Sequence, residues 1–218
     1  MQSDAILYAT ALQSPAWLIA EPLEPAVVSQ IADFNRRGLR WLLGTLRDAG
    51  ADPASAGKRP RAIAELVGHW LALDDGSLAR LAAMPYLLFE LGLDDASATR
   101  LAPLGAVVGM GAPNDLASMI LHYAWHIARA NPLAAASGLG LSADAAGRLR
   151  ELGFGELEAL VPQIAARLGL RWSGRVPVWR QLLAAVSTGA SDALQRERLN
   201  GLRRLAGDLL LQPALPRR

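Results

Sequence analysis

Along most of this chain apolar residues recur at intervals of three and four, the spacing of helices that bury one face. In residues 115–129, Leu116, Ile120, Ala124, Ile127 and Ala128 share such a face, and Asn114 stands where an N-cap belongs. Asn131-Pro132 opens a short alanine-rich helix, and Ser142 caps a run through Leu149 and Leu152. Residues 156–168 form a third helix, closed by Gly169-Leu170-Arg171-Trp172.

Before this stretch, Pro25 can occupy the first turn of a long helix with the apolar stripe Val27, Val28, Ile31, Phe34, Leu39, Leu42, Leu43 and Leu46, ending at Gly50. Residues 51–60 read as a polar connection and 61–71 as one helix. Asp74 or Asp75 caps the next, with Leu78 and Leu81 inward; Pro85 restarts the chain, and Asp94 or Asp95 caps a further short helix. After the central stretch, Pro177 starts a helix through Trp179, Leu182, Leu183 and Val186, which Ser187-Thr188-Gly189 breaks. Ser191 caps the last helix, with Leu194, Leu202, Leu205 and Leu209 on one side and an end at Leu211-Gln212-Pro213. No run alternates in β-rich composition, so no sheet is predicted. The expectation is an all-α, irregular multi-helix bundle of eight to eleven helices. It is divisible into helical subdomains 1–104 and 114–218, with a seam from Gly105 to Pro113.

Composition narrows the chemistry. With 218 residues, 52% of them hydrophobic, the chain can bury a sizeable core without staples. It has no cysteine, which excludes a disulfide framework, a thiolate metal site and a cysteine nucleophile. Met1-Gln2-Ser3-Asp4-Ala5 has no basic region, and no apolar run reaches the roughly 18 residues of a membrane span, so a cytoplasmic, unprocessed protein is expected. His122 and His126 share a helix face at metal-ligand spacing, but Tyr123 stands where a catalytic glutamate would follow, and no later histidine completes the set. Residues 105–111 have glycines but no Gly-Lys-Ser/Thr, the only lysine being Lys58, and there is no Gly-x-Ser-x-Gly elbow. No acid, base and nucleophile can be assembled, so neither catalysis nor a metal or other cofactor is expected.

Charge distribution adds a possible interface. The formal net charge is only +2, yet residues 167–218 hold ten arginines against Asp192, Glu197 and Asp208, a net +7, which leaves residues 1–166 at −5. Such a quarter suits an acidic protein, a nucleic acid or an anionic membrane face, and equally a solvated helix surface. Six tryptophans, Trp17, Trp41, Trp70, Trp125, Trp172 and Trp179, suit cores and protein interfaces alike. Trp172 and Trp179, beside Arg171, Arg175 and Arg180, are the candidate apolar anchors of a partner surface that also includes Arg203 and Arg204. The alternative is that Trp179 belongs to the core.

The order of features resembles the SctK/YscK family, the small cytosolic adaptors of the bacterial type III secretion sorting platform. Ser14-Pro15-Ala16-Trp17-Leu18 is similar to the family's early Pro-x-Trp-Leu segment, and Asn35 with Leu42-Leu43 to its Asn…Leu-Leu helix. Leu91-Gly92-Leu93 falls where the family has Leu-Gly-Leu, and Gly153 with Arg167-Leu168-Gly169-Leu170-Arg171 is similar to its Gly…Arg-Leu-x-Leu-Arg region. The resemblance implies a non-catalytic adaptor at the cytoplasmic face of the inner membrane. Its protein partners would be the cytoplasmic domain of the inner-membrane ring protein and the pod or C-ring protein. A second resemblance, over residues 115–172, is to the FlhD family of flagellar transcriptional activators: Leu139-Gly140-Leu141-Ser142, followed by Ala146, Leu149 and Leu152, is similar to that family's helix-linking turn. It implies a transcription regulator binding DNA or a partner regulator.

Overall fold

Pro25 sets the first turn of the longest helix, α1 (Pro25–Asp48), in a computed structural model that describes residues 23–48, 59–93 and 112–210. Helix α1 buries Val27, Ile31, Phe34, Leu39, Leu42, Leu43 and Leu46, the stripe its spacing predicts, with Val28 only half-buried. It also buries Asn35 and Gly38, which the apolar pattern does not mark. Asn35 Nδ2 donates to Ala82 O and Tyr86 O at 3.2 and 2.9 Å, and Oδ1 accepts from Leu88 N at 2.8 Å. A buried amide is tolerated only when so satisfied, and here it ties the chain after Pro85 to the middle of α1.

The expected helix over 61–71 is two pieces, α2 (Arg61–Ala64) and α3 (Val67–Leu71), because Leu66 leaves helical geometry at φ −114°, ψ 18°. Trp70 Nε1 donates back to Ala62 O at 3.2 Å, tying the second piece across the first. Helix α4 (Asp75–Ala82) is capped by Asp74, whose carboxylate accepts from Ser77 N at 2.6 Å; hydrogen bonding from the Ser77 side chain first, and from this N–H second, holds its pKa below the ordinary value.

Met84, Tyr86, Leu87, Leu88 and Phe89 are almost completely buried. They run through the core without helix, bending at Pro85, Tyr86 and Leu88, before β1 (Phe89–Glu90) pairs antiparallel with β2 (Gly169–Leu170). This pairing corrects the expectation of no sheet, though it is only two residues long. An interior segment outside helix and sheet must satisfy its backbone elsewhere. Leu87 N donates to Gly138 O at 2.7 Å, and Leu88 O accepts from Arg171 N at 2.8 Å.

Helix α5 (Asn114–Ala130) starts with Asn114 as its first helical residue and no side-chain cap, so Pro113, not Asn114, takes the N-cap position. Asn131 caps α6 (Pro132–Leu139), Gly140 ends it at φ 65°, and Ser142 caps α7 (Ala143–Glu151). Helix α8 (Phe154–Arg167) begins two residues before its predicted start, where Glu156 Oε2 accepts from Gly153 N at 2.7 Å. Helices α9 (Val176–Thr188) and α10 (Ser191–Leu210) form a hairpin across Gly189-Ala190. Ser191 is the first helical residue rather than the cap, since Ala190 O accepts from Leu194 N.

The fold is thus all-α, with ten helices among the described residues. One apolar cluster runs from Val27 to Leu205 and takes side chains from both sides of residues 105–113. No helix among the described residues is long and apolar enough to cross a membrane. Trp17, most of the 51–60 connection, the Asp94 or Asp95 cap, Gly105 to Gly111 and the stop at 211–213 lie outside the described residues.

Two glycines of α1 give opposite expectations for one substitution. At Gly38 an added Cβ would meet the Phe89 ring, whereas at Gly44 it would meet nothing within 4 Å. Gly44→Ala is expected to stabilise by about 0.5–1 kcal/mol through helix propensity. Gly38→Ala is expected to destabilise by about 1–3 kcal/mol, because overpacking outweighs that gain. Urea unfolding of both variants checks the two signs; a stabilised Gly38→Ala would contradict this packing of Phe89.

Candidate partner-binding surface

The side chains singled out in the sequence separate into an interior set and a surface set. Arg171 follows β2, whose pairing with β1 aims it inward, and it is 8% exposed. Its Nε donates to Leu87 O at 2.9 Å; its Nη2 donates to Phe89 O at 3.0 Å and Leu139 O at 2.7 Å. Leu139 is the last residue of α6, so the guanidinium also meets the negative end of that helix. Gly140 makes room for it: a Cβ there would collide with the guanidinium.

Trp172, in the left-handed region at φ 54°, is 7% exposed. Its Nε1 donates to Asp208 Oδ2 at 2.9 Å, and its ring meets Tyr86 edge-on at 5.7 Å. Trp179 is fully buried, its Nε1 donating to Arg171 O at 2.8 Å and its ring 5.0 Å from that of Trp70. The expectation that Arg171, Trp172 and Trp179 meet a partner is therefore corrected. Each finds its acceptors and apolar neighbours within the fold, and the alternative reading of Trp179 as core holds. Tyr86 reaches up to α10, with Oη 3.5 Å from Glu197 O and its ring against Gly201; burial pushes its pKa well above the ordinary value.

The remaining candidates lie on the α9–α10 hairpin. Arg175 is exposed but bonded to Asp208 at 2.8 Å, an ion pair that spans the open end of the hairpin. Arg204, a quarter exposed, lies 3.7 Å from Glu197. Arg180 and Arg203 are exposed, with no carboxylate within ion-pair distance among the described residues. Arg196 is also exposed, as is Leu199, at 45%. Asp192, Arg196, Leu199 and Arg203 recur every three to four residues, so the outer face of α10 carries two arginines around an uncovered leucine. Leu199 was legible in the sequence as the leucine that falls off the stripe of Leu194, Leu202 and Leu205. Opposite charge steers a partner to such a face, and an apolar centre adds desolvation energy once it docks.

His122 lies on α5 with Nδ1 2.8 Å from Ser118 O and Nε2 2.9 Å from Glu158 Oε1, a close approach without hydrogen-bond geometry; Phe154 packs on its ring. His126 is exposed, and among the described residues no three His, Asp or Glu side chains are grouped to hold a metal ion. Comparison with known protein families, with curated proteins and with solved structures finds no match.

Proposed function

We propose that this chain is a non-catalytic adaptor that docks an acidic protein surface on its α9–α10 hairpin. The observation that carries the reading is the exposed set Arg180, Arg196, Leu199 and Arg203, left over after Trp172 and Trp179 enter the core. Within that class, the resemblance to the SctK/YscK family supports an adaptor of the type III secretion sorting platform. In that role it would link the cytoplasmic domain of the inner-membrane ring protein to the pod or C-ring protein at the cytoplasmic face of the inner membrane. One observation favours a regulator of the FlhD kind: Leu139-Gly140-Leu141-Ser142 does link two helices, with Gly140 ending α6 and Ser142 capping α7. Affinity capture from the native host, followed by mass spectrometry, separates the two. The adaptor reading expects the ring and pod proteins among the captured partners. An RNA polymerase subunit or promoter DNA, with no secretion component, would replace it with the regulator reading.

A further inference from the structure

The −5 of residues 1–166 conceals a basic surface of a different kind on α1. Arg36, Arg37, Arg40 and Arg47 lie on the side opposite the stripe that α1 buries, against Asp33 and Asp48. Arg36 is bonded to Asp33 at 2.6 Å, and both remain about half exposed. Arg37 is exposed, with Nη1 3.8 Å from the sulfur of Met119. Arg40 and Arg47 are exposed, with no carboxylate within ion-pair distance among the described residues. At a rise of about 1.5 Å per residue the four arginines span roughly 16 Å along a helix whose other face is fixed in the core. Between Arg40 and Arg47 lies half-buried Gly44, where an added Cβ would meet nothing within 4 Å, and Trp41 stands half-buried at its flank.

We propose that this face of α1 docks an acidic helical segment of a protein partner, at a site separate from the α9–α10 hairpin. The charges call for carboxylates. The notch at Gly44 admits the ridge of a second helix, because close helix approach needs a small residue at the crossing point. The Arg36, Arg40 and Arg47 spacing is then met by Glu or Asp at the same helical intervals on the partner, so that arginines clasp carboxylates on either side of the crossing. A phosphate backbone would use the arginines but not the notch, and that difference separates the two kinds of ligand.

The probe is a labelled helical peptide of about 20 residues with glutamate on one face and alanine and leucine elsewhere, titrated into the full chain and followed by anisotropy. The expected result is at least a tenfold loss of affinity for Arg40→Glu/Arg47→Glu and a similar loss for Gly44→Gln. The latter keeps every charge and fills only the notch. Both variants should melt no lower than the parent. Absence of binding, or full affinity in the α1 variants, would overturn the proposal. So would binding of a mixed-sequence DNA duplex that falls with Arg40→Glu/Arg47→Glu while Gly44→Gln has no effect, which would assign the stripe to phosphate.

Discussion

Arg171→Ala is expected to lower stability by about 3–5 kcal/mol, with no change in partner binding for whatever fraction remains folded. The side chain satisfies Leu87 O, Phe89 O and Leu139 O, which belong to the central non-helical segment and the end of α6. Its removal leaves buried carbonyls without donors, each costing about 1–3 kcal/mol when no water reaches them. It also opens a cavity beside Gly140, whose missing Cβ leaves nothing to collapse into the space. Arg171→Lys should recover only a fraction of the loss, since an ammonium on a flexible stem does not reproduce a planar fork aimed at several acceptors. Chemical denaturation measures this directly. A loss below about 1 kcal/mol, accompanied by weakened partner binding, would return Arg171 to the surface.

Trp179→Ala is expected to cost about 3–5 kcal/mol, the range for truncating a large buried aromatic. The indole is fully enclosed, stacks at a tilt on Trp70 and donates to the backbone of Arg171. The loss therefore combines cavity, aromatic contact and an orphaned carbonyl. Trp179→Phe separates these contributions: it keeps most of the ring volume and should cost about 1–2 kcal/mol for the lost N–H donor and the partial void. In a double-mutant cycle with Trp70→Ala, a coupling of about 0.5–3 kcal/mol is expected for residues in direct contact. A variant that melts with the parent but binds its partner more weakly would show the indole to be an interface anchor.

The helices were legible where a period of three to four repeats for several turns, as in α1 and α5, because the buried face of a helix is written locally in its own residues. The central segment was not. Tyr86 to Leu91 is a short run dense in apolar residues, and such a run looks the same whether it crosses the core without helix or coils into one. What decides between them is distant: Asn35 meets Leu88 from 53 residues away, and Arg171 meets Leu87 from 84. The same distance explains the misplaced site. Arginine and tryptophan together are the composition of interfaces, and nothing near Arg171 in sequence announces three waiting carbonyls. Trp172 likewise owes its burial to Tyr86 and Asp208, neither of which is a neighbour in the chain. The charge asymmetry, by contrast, translates into structure in part: Arg180, Arg196 and Arg203 are exposed on the hairpin, whereas Arg175 and Arg204 sit beside Asp208 and Glu197.

The adaptor reading rests on the hairpin face, and its most direct test is to measure melting temperature and partner affinity together for Arg180→Glu/Arg196→Glu/Arg203→Glu. All three side chains are exposed, so the melting temperature should stay within a few degrees of the parent, as expected for surface changes of about 0.5 kcal/mol or less each. Affinity for the ring or pod protein should fall at least tenfold at low salt, and the deficit should shrink as salt screens the reversed charges. Parental affinity for every captured partner, in a protein that melts normally, would contradict the claim that this face is where partners bind.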